Sequence, residues 1–150
     1  MKWELLFLLG VFAFSSVYSK ECVCPKISQK AVFEASDLVA KVQFTDIQSD
    51  DNYLTFNTTF IKQFKPYNST KPINGLVLAH QSLLNCNSNI QHVMINEDYL
   101  IGVKKVNDTY QFASCNGFPQ HAFGRPVLAQ PWAAFVTNET IAKLRDGKFD

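Results

Sequence analysis

Two cysteines separated by one residue, Cys22 and Cys24, lie directly behind an apolar leader. A cysteine can form a disulfide, bind a metal or act as a nucleophile, and the even total of four cysteines in a secreted chain favours two disulfides. A bond between Cys22 and Cys24 themselves would be strained in an extended segment. Each is therefore expected to pair with Cys86 or Cys115, which would hold the N-terminal segment rigidly on the domain.

The leader, residues 1–19, has the features of a secretory signal peptide. Lys2 gives it a positive start, residues 5–14 form an apolar core, and small residues stand at its end. The apolar stretch is too short to remain in a membrane as a spanning helix. We therefore expect a secreted, soluble, extracellular protein in which residues 20–150 form a single domain.

Charge and composition argue against several function classes. A net charge of +1 predicts neither a nucleic acid nor a membrane surface as partner. His80, His92 and His121 lack a metal-binding spacing such as His-Glu-x-x-His, so we expect no metal or cofactor belonging to the protein itself. The chain also lacks Gly-x-Ser-x-Gly, a phosphate-binding loop and a convincing acid/base pair. These observations predict a monomeric protein that is not an enzyme.

Apolar and polar residues alternate along much of the chain, which predicts a mainly β structure. The predicted elements are a helix at 29–35 capped by Ser28, strands at 38–44, 53–64 and 75–80, a hairpin of strands 98–103 and 109–113, and a helix at 138–146 before Gly147. Residues 116–131, rich in glycine and proline, are expected to be irregular. This order predicts an OB-like, five-stranded β-barrel with short flanking helices.

Several asparagines begin Asn-x-Thr sequons, the acceptor sequence for N-glycosylation. They are Asn57, Asn68, Asn107 and Asn138. All fall on faces or turns predicted to be exposed, so we expect a glycoprotein with some of these sites occupied. The alternative is unmodified surface asparagine, and Asn138 could also act as a helix cap.

Taken together, the motifs resemble the netrin-like fold, and specifically the inhibitory N-terminal domain of the tissue inhibitors of metalloproteinases. The stretches that carry the resemblance are Cys22-Val23-Cys24-Pro25, residues 31–39 followed by Lys41 and Phe44, residues 98–102, Cys115, and Pro131-Trp132. Each stretch is weak alone, and their order and spacing behind a signal peptide make the set more specific. The chain resembles a short, invertebrate-type member with the N-terminal domain alone.

The resemblance implies two disulfides, Cys22–Cys86 and Cys24–Cys115. It also implies an inhibitory wedge directed at a secreted zinc metalloproteinase of the extracellular matrix. The free α-amine and carbonyl of Cys22 would bind the catalytic zinc of the target enzyme, and Val23 would enter its specificity pocket. The family's third disulfide would start where Glu34 stands, and this chain has no cysteine there.

A second contact ridge of the wedge would come from Leu83 and Leu84, in the segment that precedes Cys86. The alternative for these leucines is burial in the barrel, since large aliphatic side chains are usually inside.

The signal-peptide boundary leaves the function open between two classes. Cleavage after Ser19 would leave Lys20 and Glu21 ahead of Cys22, whose amide nitrogen would then have no lone pair for zinc. Cleavage before Cys22 would put Glu21 where small neutral residues are preferred. The hypotheses are therefore a zinc-chelating inhibitor and a non-inhibitory, netrin-like extracellular binding module, in which the Cys-x-Cys pair is only a structural clamp.

Overall fold

The computed structural model of the 150-residue chain describes residues 23–67, 74–85, 89–121 and 123–149. The predicted signal peptide lies outside them. The elements are β1 (Ile27–Ser28), α1 (Gln29–Ala35), β2 (Leu38–Ser49), β3 (Tyr53–Lys65), β4 (Asn74–His80), two 3-10 helices (Gln81–Asn85 and Ile90–His92), β5 (Asp98–Val106), β6 (Thr109–Gln111), β7 (Phe118–Pro119), β8 (Phe123–Gly124), β9 (Pro126–Val127), β10 (Ala129–Pro131), α2 (Trp132–Phe135) and α3 (Asn138–Asp146). The structure is therefore mainly β, as predicted. None of the helices in these ranges has the length and apolar character needed to cross a membrane.

The main sheet has six strands in the order β10-β5-β2-β3-β4-β6, and β6 also pairs with β5. This last pairing closes a ring through β5, which has a third neighbour in β10 at its residues 99–101. Its residues 98–103 pair with β2, and its residues 104–106 pair with β6. The β4–β6 pairing is parallel, whereas the other pairings in the sheet are antiparallel.

The buried residues form two clusters on opposite faces of the sheet, since successive residues such as Val39 and Ala40 belong to different clusters. Phe56 and Phe60 pack in the main core, with the buried side chains of the ring-like sheet. Phe64 would share their face in a regular strand, but it packs in a second cluster with Val39 and Leu144. The reason is a bulge between Phe60 and Phe64: Val42 is opposite Phe60 and Lys41 is opposite Lys62, which leaves one extra residue in β3 and exchanges the two faces beyond it. The second cluster attaches α1 and α3 to the sheet.

The predicted helices at 29–35 and 138–146 are confirmed, and Ser28 and Gly147 limit them as expected. The Ser28 side chain accepts a hydrogen bond from the Ala31 amide at the start of α1. At the other end of the chain, Gly147 terminates α3 in the left-handed conformation, with φ of 64°. The cap at the start of α3 is Thr137 and not Asn138, because the Thr137 side chain accepts from the Thr140 amide.

The prediction of an irregular segment at 116–131 is wrong. The segment contains four short strands, β7 to β10, and β10 joins the main sheet with Ala129 opposite Ile101. Its prolines occur in ladders of two or three residues, where the missing amide donor costs little.

Candidate functional site

The N-terminal segment is fixed to the domain by a disulfide between Cys24 and Cys115, which are 91 residues apart in sequence. Cys24 is buried, with 7% of its surface exposed. This is the pairing that the family resemblance implied for these two cysteines. Cys22 and Cys86, which the resemblance pairs with each other, lie outside the described residues.

Asn116, the residue after Cys115, is hydrogen-bonded to two parts of the core. The buried Asn116 side chain donates through Nδ2 to Ser36 Oγ at 3.1 Å and to the Gly102 carbonyl at 3.4 Å. Ser36 Oγ in turn donates to the Val32 carbonyl at 2.7 Å. A side chain at Gly102 would disrupt this network, since its Cβ would lie 2.5 Å from Ser36 Oγ. The anchor of the N-terminal segment is therefore held to α1 and β5 and has little freedom to move.

Val23 projects from this rigid base. Its side chain is 69% exposed although the next residue is buried. The segment is held again a few residues later, where Ile27 pairs with Gly124 and Ser28 pairs with Phe123 in the β1–β8 ladder. An exposed aliphatic side chain on a segment fixed on its C-terminal side is suited to insertion into a partner's pocket, because little order is lost on binding.

Leu83 and Leu84 are placed differently from Val23. Leu83 is buried in the main core with 6% exposure, and Leu84 is half-buried against the same cluster. Leu83 therefore follows the alternative interpretation, in which the leucine is buried and does not form a contact ridge. An outward-facing ridge from this segment would have to use the remaining surface of Leu84 and polar groups such as Ser82, whose hydroxyl lies 2.8 Å from His80 Nδ1.

Phe123 is an exposed side chain that sequence reasoning missed. Phenylalanine side chains are usually buried, but Phe123 is 70% exposed. It lies on β8 beside the segment that follows the Cys-x-Cys pair. A single aromatic residue between glycines and prolines carries no periodicity, so the pattern gave no signal of its exposure.

The carboxylate of Asp50, between β2 and β3, is hydrogen-bonded within the protein. Backbone amides of Asn52 and Tyr53 donate to Asp50, and these bonds lower the pKa of its carboxyl group. Within the described ranges, no group of three or more His, Cys, Asp or Glu residues could hold a metal ion.

The sequons differ in their surroundings. Asn107 is exposed in the turn between β5 and β6, with φ of 47°. Asn138 is exposed at the first position of α3. Asn57 lies within β3 and is half-buried, and Asn68 lies outside the described residues.

Comparisons with known proteins give no family for the chain. No protein-family model matches the sequence. No curated protein matches it either. The similarity to the tissue inhibitors of metalloproteinases therefore depends on the residues and spacings quoted for it, and the function that it implies is a proposal.

Proposed function

We propose that the protein is a secreted inhibitor of zinc metalloproteinases that inserts its Cys22-Val23-Cys24 segment into the active site of the target. The observation that carries the proposal is the exposed Val23 side chain beside the buried, disulfide-bonded Cys24. In this proposal the protein acts as a monomer, is not an enzyme and needs no cofactor. The only metal involved is the zinc of the target enzyme.

The inhibitory step is a ligand exchange at that zinc. A catalytic zinc site keeps one coordination position for water, and this water supplies the nucleophile for peptide hydrolysis. The α-amine and carbonyl of Cys22 would take the place of the water, while Val23 would fill the neighbouring pocket. Because an amide nitrogen cannot do this, the mechanism requires a mature chain that begins at Cys22.

We also propose that the ring-like sheet is the OB-like, five-stranded barrel of the netrin-like fold. The closed sequence of pairings through β2, β3, β4, β6 and β5 supports this. The short helices α1 and α3, packed on the same second cluster, are consistent with the flanking helices of that fold.

The deciding experiment combines N-terminal sequencing of the secreted protein with an inhibition assay. The assay measures cleavage of a fluorogenic peptide by the catalytic domain of a matrix metalloproteinase. A start at Cys22 with inhibition would support the proposal, and an extra alanine before Cys22 should then abolish inhibition. A start at Lys20 without inhibition would eliminate the zinc mechanism.

A matched pair of substitutions tests the role of the Val23 side chain. Val23→Thr should weaken inhibition roughly 10- to 100-fold, because a hydroxyl group would enter an apolar pocket. Val106→Thr makes the same change at an exposed position of β5 and should leave inhibition unchanged. Equal inhibition constants for both variants would show that Val23 does not enter the pocket.

The second candidate is a netrin-like binding module that engages another extracellular protein without zinc. The exposed Phe123 beside β1 favours it, since this side chain offers an apolar contact that does not depend on a free amine. The extra alanine before Cys22 distinguishes the candidates, because it should leave such binding intact.

A further inference from the structure

A groove of about 440 Å³ lies on the outer face of β3 and β4. It is lined by the polar residues Thr45, Asn57, Thr59 and Asn74 and by Leu76. Leu76 is 51% exposed, in a strand whose neighbouring residue Val77 is fully buried. A single exposed leucine is common on a protein surface, and what distinguishes Leu76 is the residue that lies opposite it.

The residue opposite Leu76 is Asn57, the first residue of a sequon. The register pairs Asn57 with Leu76 and Phe56 with Val77. Because Phe56 and Val77 are core residues, the side chains of Asn57 and Leu76 share the opposite, solvent-facing side of the sheet. The side-chain amide of Asn57 has only a long hydrogen bond here, 3.5 Å from Nδ2 to Asp46 Oδ2.

We propose that Asn57 carries an N-linked glycan whose first sugars lie in this groove and cover Leu76. In the modification, Asn57 Nδ2 would attack C1 of an oligosaccharide linked to a lipid pyrophosphate. The N–C bond forms, the C–O bond to the pyrophosphate breaks, the lipid pyrophosphate leaves, and Nδ2 loses one proton. The second N–H remains for the hydrogen bond to Asp46. The inference depends on the secretion part of the proposed function and not on inhibition.

The groove distinguishes Asn57 from the sequons at Asn107 and Asn138. Those two asparagines stand at a turn and at a helix start, and both are exposed. A glycan there would extend into solvent. At Asn57 the polar walls offer hydrogen-bonding partners for sugar hydroxyls, and Leu76 offers an apolar surface for the face of a sugar ring.

Glycopeptide mapping of the protein secreted from eukaryotic cells tests occupancy. We expect a glycan on the peptide that contains Asn57. The peptides with Asn107 and Asn138 report whether the chain passed through the glycosylation machinery. A glycan on either of these with bare Asn57, or bare asparagines throughout, would overturn the inference. Recovery of the protein from the medium leaves secretion standing in both cases, whereas failure to recover it there would overturn the secretion on which the inference depends.

A double-substitution cycle tests whether the glycan covers Leu76. Thr59→Ala removes the sequon and keeps Asn57, and Thr109→Ala does the same for Asn107 as a control. Loss of the Asn57 glycan should increase the fluorescence of a hydrophobic dye and reduce the monomer fraction, and Leu76→Thr should cancel both changes. Enzymatic removal of the whole glycan from the folded protein gives the same comparison with Thr59 in place.

Three results would contradict the inference. The first is an equal effect of glycan loss in the wild-type and Leu76→Thr backgrounds, and the second is no effect in either. The third is a glycosylated protein that already dimerises through Leu76, since the glycan would then leave that side chain uncovered.

Discussion

Asn116 shows how one side chain can hold the candidate site in place. Its amide joins Ser36 and the Gly102 carbonyl, directly after the disulfide-bonded Cys115. Asn116→Ala would leave a buried carbonyl without this donor, so we expect a loss of about 1–3 kcal/mol in the free energy of unfolding. Denaturant titration measures it. Asn74→Ala, at an exposed amide, should have little effect, and equal midpoints for the two variants would contradict this role.

Asp98 makes stability depend on pH. Its carboxylate contacts Lys41 Nζ at 2.9 Å and accepts from Gln43 Nε2 at 2.8 Å. Burial acts to raise the pKa of Asp98, but the hydrogen bonds and the Lys41 charge outweigh it, so the pKa lies below its usual value. The stabilisation is therefore complete above the unfolded pKa of about 3.9 and is lost as pH falls through the lower folded pKa.

Asp98→Asn should accordingly be less stable than the wild type at pH 7, and the difference should shrink as the pH falls below about 4. Unfolding midpoints measured across this range give the result. Lys41→Met should lose only a part of this pH dependence, because Gln43 still donates to the Asp98 carboxylate. A difference that stays constant from pH 7 to the acid range would refute this account of Asp98.

Local signals at the residue scale were readable from sequence, and long-range contacts were not. Ser28 and Gly147 were predictable because a cap depends on residues within one turn. The Cys24–Cys115 pairing came only from the family resemblance. Asn116 was not predicted, because its partners are 80 and 14 residues away and an isolated asparagine gives no pattern.

At the scale of elements, Gly117 determines how β7 and β9 approach each other. A Cβ at this position would lie 2.4 Å from the backbone carbonyl atoms of Val127, next to the Phe118–Val127 pair. Gly117→Ala should therefore separate the strands and disturb the buried Phe118, at a cost of about 1–3 kcal/mol in unfolding free energy. Gly124→Ala is the control, because its nearest contact would be an ordinary 3.4 Å to Pro119 Cβ. Similar unfolding curves for the two variants would contradict this packing.

The elements themselves were predictable to different extents. Strands β2 to β5 contain many β-branched and aromatic residues in alternation, so their existence followed from the pattern. The end of β2 was not predictable, since residues 46–49, three of them polar, remain paired with β3. Strands β7 to β10 were missed because two or three residues are too few to show a period, and their pairing depends on partners elsewhere in the chain.

At the scale of the whole molecule, ring closure depends on β5 serving different neighbours along its length. The alternating pattern predicted strand β5 and its two faces, but it did not predict which strands pair with β5. The β4–β6 pairing is parallel and joins segments more than 30 residues apart. Such contacts are determined by the total burial of the main core and not by local sequence. The sequence therefore predicted the class of architecture but not the pairing of its strands.

The disulfide gives the prediction that involves the whole molecule. Cys24–Cys115 closes a loop of 91 residues, so the Cys24→Ser, Cys115→Ser double variant should lose about 2–5 kcal/mol of stability. Unfolding titrations measure this loss. Under the proposed function, inhibition should fall further than the folded fraction explains, because a loosened N-terminal segment must be ordered again on binding.

Val77→Ala is the matched control for this variant. It removes packing at a fully buried residue of the main core and should cost a similar free energy without loosening the N-terminal segment. Its inhibition should therefore follow its folded fraction. If both variants lose inhibition only in proportion to unfolding, the disulfide stabilises the fold but does not pre-order the segment. Non-reducing peptide mapping completes the test, since a fragment joining Cys22 to Cys115 would contradict the pairing from which the inhibitory mechanism is argued.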